Sequence, residues 1–124
     1  MGRLVHIEIT ADDMARAKEF YKIFDWEIVD SGMPGADYWL AKTGEGEPGL
    51  DGAIMPRAYN PQPVIHWIGV DDLDEMIEKV KTSGGKILGE KHSVPGIGDT
   101  IYASDTEGNT FGMIKALPRE VDSK

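Results

Sequence analysis

The chain contains no cysteine. That excludes a disulfide framework, a thiolate metal site and a cysteine nucleophile. It is compatible with a reducing cytosol, and a cytoplasmic location is expected. Basic residues are scarce, with 13 Lys and Arg against 22 Asp and Glu and a net charge of −9. Nucleic acid and anionic membrane both call for clustered bases, so neither is expected as a partner. No apolar run approaches the roughly 18 residues of a membrane span. The opening M-G-R-L-V-H-I reads as a strand and is too short for a signal peptide. Gly2 lacks a myristoylation signal, since position 6 is His6. There is no G-x-S-x-G, hence no nucleophile elbow. Gly44, Gly46 and Gly49 do spell G-x-G-x-x-G. Pro48 interrupts it, Glu45 and Glu47 would repel phosphate, and a strand follows where a dinucleotide site needs a helix.

What remains is a 124-residue chain with 40% apolar residues, enough for one domain with a core. Arg3–Ile9 alternates as a strand, with Val5, Ile7 and Ile9 on one face and Leu4, His6 and Glu8 on the other. A helix is expected from about Asp12 to Phe24, capped by Thr10 or Asp12. Its Met14, Ala17, Phe20, Tyr21 and Phe24 form one stripe, read as core. Short strands follow at Trp26–Val29, Tyr38–Ala41 and Leu50–Met55. Pro56–Pro63 holds three prolines in eight residues and reads as a linker.

The order then restarts. Val64–Val70 is a strand, Asp71 caps a helix bearing Leu73, Met76, Ile77 and Val80, and Gly84 suits the position just past its end. Strands at Lys86–Glu90, Asp99–Ser104 and Thr110–Lys115 complete the second half. Asp105–Asn109 forms the turn into the last of them, and Gly108 there tolerates positive φ. By alternation Gly112 shares a face with Thr110 and Ile114. Trp67, alternating with His66, is expected on the helix side.

Both halves thus read β-α-β-β-β. H-I-E-I-T-A-D-D-M at His6 answers H-W-I-G-V-D-D-L at His66, and G-A-I-M at Gly52 answers G-M-I-K at Gly112. Each match is a shift of 60, with a one-residue gap near Asp12/Asp71. The expected organisation is a single domain over 1–118, with module one at 3–55, a linker at 56–63 and module two at 64–117. A polar tail fills 118–124.

The motifs H-I-E-I-T-A-D-D with E-F-Y-K-I-F-D-W, then H-W-I-G-V-D-D, V-P-G-I-G-D and D-T-E-G-N-T-F-G resemble the vicinal oxygen chelate superfamily. This is the glyoxalase, bleomycin-resistance and extradiol-dioxygenase group. The resemblance covers nearly all of Leu4–Leu117. It implies an α+β fold of two tandem βαβββ modules forming a curved eight-stranded sheet around a central cleft. Metal-dependent members hold a divalent ion with two ligands from the first strands and two from the fourth. His6 and His66 fall on the first-strand positions, Gly52 (or its neighbour) and Gly112 on the fourth. Glycine offers no side-chain ligand, and catalytic zinc typically has three protein ligands. Glu8, two residues from His6, is the candidate third donor for a Zn, Ni, Mn or Fe ion. The other reading of His6 and His66 is as satisfied polar groups in the cleft.

The glycines are expected to leave room for a small, partly apolar molecule, flanked by Tyr38, Trp39, Ile54, Tyr102 and Ile114. Two functions follow. One is a small-molecule binding module, like the bleomycin-sequestering relatives, with no complete metal site and no certain cofactor. The other is a glyoxalase-like lyase or isomerase acting beside a carbonyl with His6, His66 and Glu8. A homodimer is expected from the resemblance.

Overall fold

The structure is a computed structural model that describes residues 2–46 and 48–117. The expected polar tail at 118–124 lies outside the described residues. The chain is α+β and divides into two compact units. One is Val5–His66; the other comprises the described residues of Met1–Leu4 and Trp67–Lys124.

The first unit contains β1 (Arg3–Ala11, from Val5 on), α1 (Met14–Tyr21), β2 (Glu27–Asp30), β3 (Trp39–Lys42) and β4 (Gly52–Pro56). Its strand order is β2-β3-β4-β1, with β1 parallel to β4 and the other neighbours antiparallel. Asp13 caps α1, its carboxylate accepting from the Arg16 amide at 2.9 Å. The cap is therefore one residue later than Asp12 and three later than Thr10, the two residues the sequence suggested. Register fixes the two faces. Ile9 pairs with Ile54, which pairs with Trp39, and the Lys18 ammonium of α1 lies 3.5 Å from a Trp39 ring centroid. That face is the one α1 covers. His6, Glu8 and Thr10 belong to the opposite face, along with Ala53 and Met55.

The aromatic stripe of α1 is not core. Phe20 is 56% exposed and Phe24 55%. The rings pack on one another: Tyr21 stacks on Trp26 at 5.0 Å, Phe24 lies 5.9 Å from Trp26, and Phe20 meets Tyr21 edge-on at 5.2 Å. Helical spacing puts these residues on one side of the helix. It does not determine whether a sheet lies beneath that side.

Pro56–Pro63 belongs to this unit rather than linking two others. The Thr10 amide donates to Pro63 O at 3.0 Å and its hydroxyl to Gln62 O at 2.8 Å. The Arg57 guanidinium donates to Thr10 Oγ1 and Thr10 O, and bonds Asp12 at 2.9 Å. Pro56 ends β4, Pro61 and Pro63 keep the residues after it out of the sheet, and these bonds fasten the segment along the end of β1.

The second unit takes up β5 (Val64–Gly69) from Trp67 and adds α2 (Leu73–Thr82), β6 (Lys86–Val94), β7 (Gly98–Ser104) and β8 (Thr110–Ala116). Its strand order is β5-β8-β7-β6. Asp72, not Asp71, caps α2 through the Glu75 amide at 3.0 Å. Gly84 follows the C-cap at φ +95°, a left-handed conformation that costs glycine little. The core joins Val70, Leu73, Ile101, Ala103, Phe111 and Met113 to Ile68, Met76, Ile77 and Val80. Full burial of a side chain such as Met113 contributes about 1.5–3 kcal/mol. In the turn before β8, the Asp105 carboxylate accepts from the Glu107 and Asn109 amides at 2.8 and 2.9 Å. Gly108 sits there at φ +83°, as the turn requires.

The repeat has a different offset from the one the letters suggest. The two helix caps, Asp13 and Asp72, are 59 residues apart. Trp67 stands five residues before its cap, as Glu8 stands five before the other. Glu8 pairs with Ala53, so at the same offset the counterpart of Gly112 is Ala53, not Gly52. No gap is needed. The G-A-I-M and G-M-I-K match is a coincidence one residue out of structural register.

Candidate functional site

In the first unit β1 presents His6 and Glu8 on one face because they are two residues apart. Glu8 is only 3% exposed. Burying a carboxylate is costly unless it is partnered. Here Tyr38, just before β3, donates its hydroxyl proton to Glu8 Oε2 at 2.7 Å. The same hydroxyl lies 2.9 Å from His6 Nε2. A tyrosine has one proton to give, so its oxygen accepts from His6 Nε2–H. That tautomer leaves Nδ1 as an acceptor.

Burial holds the His6 imidazole below its ordinary pKa, while the charges of Glu8 and Asp51 pull it partly back up. Desolvation penalises the cation, and the two carboxylates favour it. Asp51 is fixed by Thr43, whose amide donates to it at 2.9 Å. The outcome is a neutral imidazole joined through a phenol to a buried carboxylate. Such a trio can bind a carbonyl or hydroxyl group, and it can pass a proton.

The other expected site residues are placed as follows. Trp39 lies on the α1 face, with its indole donating to Asp37 at 2.8 Å. Ile54 is fully buried on that same face. Gly52 pairs with Ile7 there, and a Cβ on it would meet the Ile7 carbonyl oxygen at 2.5 Å. Gly52 thus marks a close backbone approach, not open space. In the second unit Gly112 pairs with Tyr102, and a Cβ on Gly112 would run into the Trp67 ring. The room expected beside Gly112 is filled by that indole, which meets Tyr102 at 5.0 Å and 62°. Ile114 shares the Gly112 side of β8, opposite the Phe111 and Met113 core side.

Trp67 is therefore on the face away from α2, the reverse of the expectation. His66 alternates with it and falls on the side of Ile68, which packs into the α2 core. His6 and Glu8 are brought together; His66 is on the other side of its strand from Trp67 and Gly112. Among the described residues no group of three or more His, Cys, Asp or Glu is placed to hold a metal ion. The fourth-strand residue beside Glu8 is Ala53, which has no donor. These residues do not fit the four-ligand set that the resemblance implies. Two participants carried no sequence signal for their roles. Tyr38's bridge is a contact across 30 residues, and Trp67's position depends on a one-residue register.

The family profile described as the Glyoxalase/Bleomycin resistance protein/Dioxygenase superfamily matches residues 3–113. The chain belongs to this superfamily. A superfamily relative from Didymella fabae, a glyoxylase-like domain-containing protein, is 32% identical over 90% of this chain and 92% of its own length. CFP32 of Mycobacterium bovis, which carries a glyoxylase name, is 29% identical over 96% of this chain and 46% of its own length. GLX1 of Arabidopsis thaliana, named a lactoylglutathione lyase, is 27% identical over 94% of this chain and 45% of its own. The chain spans about half the length of CFP32 and GLX1. Methylmalonyl-CoA epimerase from Mycobacterium tuberculosis shares the fold at a TM-score of 0.68 and 14% identity, covering 98% of this chain and 91% of that one. The Bacillus halodurans protein BH1468 does so at 0.70 and 15%, covering 95% and 96%. No helix among the described residues is long and apolar enough to cross a membrane.

Proposed function

We propose that the Val5–His66 unit binds a small, partly apolar molecule bearing a carbonyl or hydroxyl group, without the superfamily's full metal set. The observation that carries this is the Tyr38 hydroxyl, which bridges His6 and the buried Glu8. A ligand hydroxyl can donate to His6 Nδ1, and a ligand carbonyl can take the Tyr38 proton in place of Glu8. Leu40, half-buried on the same face, offers apolar contact. Thermal shift against a panel of small ketones, aldehydes and alcohols tests it. Hits should raise the melting temperature of the native protein and lose most of that effect in Tyr38→Phe. Equal shifts in both proteins would overturn the assignment.

The second reading is a glyoxalase-like lyase or isomerase. It is supported by the neutral His6 linked to a carboxylate, and by the lyase name of GLX1. A methylglyoxal–thiol lactoylation assay with and without chelator separates the two. Turnover that survives chelation supports an enzyme working through His6 and Glu8. Turnover lost on chelation contradicts the metal-free reading, and binding without turnover supports the binding module.

A homodimer is proposed as well. Its support is that CFP32 and GLX1 are about twice this chain's length and that Phe20, Ile23 and Phe24 stand exposed. Light scattering at twice 13.6 kDa supports it, and the monomer mass refutes it.

A further inference from the structure

Tyr38 holds its hydroxyl between two residues of another strand, yet the chain leading into it is loosely built. Residues 31–37 form a largely exposed connection in which Gly32 and Gly35 take positive φ, at +79° and +72°. Glycine gives the backbone there a wide choice of conformations. The Ser31 amide donates to Tyr38 O at 3.0 Å, which closes the connection on itself. A tie to the rest of the unit comes from elsewhere: the Asp37 amide donates to the Tyr59 hydroxyl at 2.8 Å.

Tyr59 stands in the segment after β4, which is itself well fixed. The Tyr59 amide donates to Pro56 O at 3.0 Å and the Gln62 amide to the Asn60 side chain at 3.0 Å, while Pro61 and Pro63 have restricted φ. The same segment is bonded to Thr10 through Gln62, Pro63 and Arg57. Thr10 is two residues from Glu8 on the same face of β1. One short strap therefore holds both sides of the Tyr38–Glu8 bond. It holds β1 through Thr10, and the residue before Tyr38 through Tyr59.

We propose that Tyr59 is a positioning residue for the His6–Tyr38–Glu8 trio, which rests on the reading of that trio as the ligand-binding group. Tyr59 acts through the backbone. Its hydroxyl oxygen fixes Asp37, and Asp37 sets where the Tyr38 ring enters the site. Trp39 reinforces this from the α1 face, its indole bonded to the Asp37 carboxylate at 2.8 Å. Without the Tyr59 hydroxyl the Asp37 amide turns to water, and the Tyr38 phenol leaves Glu8 and His6 more often.

The probe is the His6 Nε2–H proton, which the Tyr38 oxygen accepts. Its exchange with water, read by NMR on the full chain with no small molecule added, reports how often the bridge opens. Tyr59 is 51% exposed, so Tyr59→Phe keeps the fold and loses only the hydroxyl. Exchange should be about two- to tenfold faster in Tyr59→Phe, as loss of one hydrogen bond implies, and faster still in Tyr38→Phe. Thr82→Ala loses a hydroxyl bond to Lys79 O on α2 and should leave the rate unchanged. Equal rates in the native protein and Tyr59→Phe, or an equal rise in Thr82→Ala, overturn the proposal. So does an Asp37 amide that exchanges in the native protein as fast as an unbonded loop amide. A Tyr38→Phe rate no faster than the native one contradicts the bridge itself, and with it both the proposed function and the strap. A response in Tyr38→Phe with none in Tyr59→Phe overturns the strap alone.

Discussion

Gly112→Ala isolates the packing of Trp67 in one methyl group. No positive φ is involved at Gly112, so alanine brings no backbone strain. Taken alone, the exchange stabilises by about 0.4–1 kcal/mol through the unfolded chain. Against this, the new Cβ collides with the benzo edge of the Trp67 indole. Overpacking of this kind costs about 1–3 kcal/mol. The net expectation runs from no loss to a loss of about 2.6 kcal/mol. For a chain of this size that is a fall in melting temperature of up to about 10 °C. Urea unfolding of the native protein, Gly112→Ala, Trp67→Leu and the double variant closes a cycle. A smaller side chain at 67 makes room, so the alanine should then cost nothing or stabilise. The coupling should be about 1–2 kcal/mol. Gly52→Ala is the contrast, because its Cβ meets the Ile7 backbone, which no side-chain exchange can clear. A Gly112→Ala effect that is unchanged in Trp67→Leu would refute the packing.

The remaining expectations concern the first unit. Because burial lowers the His6 pKa, the unfolded chain binds more protons between the folded value and the ordinary value of about 6.5. Stability should therefore drop as pH falls below about 6.5 and level off under the folded value. His6→Asn should remove that part of the dependence, as read from urea midpoints at pH 8 and pH 5.5; parallel curves would contradict it. Phe24→Ala should cost about 1 kcal/mol or less, since the ring is 55% exposed. A cost of about 3–5 kcal/mol, the value for a core phenylalanine, would show the ring to be covered in solution.

Much of this was legible in the sequence, for reasons that differ by residue. The alternation read over Arg3–Ile9 put His6 and Glu8 on one face, as in the observed Arg3–Ala11 strand, because strand periodicity is local. The element order was legible too, since each helix begins at an aspartate and Gly84 and Gly108 mark chain reversals. What failed depended on information from elsewhere in the chain. The offset of 60 rested on repeated letters, whereas the caps and strand pairing set it at 59. That single residue decides whether His66 or Trp67 faces Gly112. The spacing of Phe20 and Phe24 defined a stripe but not its cover. Pro61 and Pro63 kept the segment after β4 out of the sheet, but nothing in them foretold the bonds to Thr10. Glu8 could be seen as ionisable, while its partner Tyr38 lies 30 residues away on another element.

The central claim is that the Tyr38 bridge between His6 and Glu8 is a ligand-binding group. The most direct measurement is the His6 ring-nitrogen NMR spectrum, followed during titration with the best hit of the carbonyl and hydroxyl panel. The ligand should shift the His6 ring resonances in the native protein. Affinity should be about tenfold weaker in Tyr38→Phe, the loss expected for one good hydrogen bond. A ligand that binds both proteins equally and leaves His6 unshifted would contradict it.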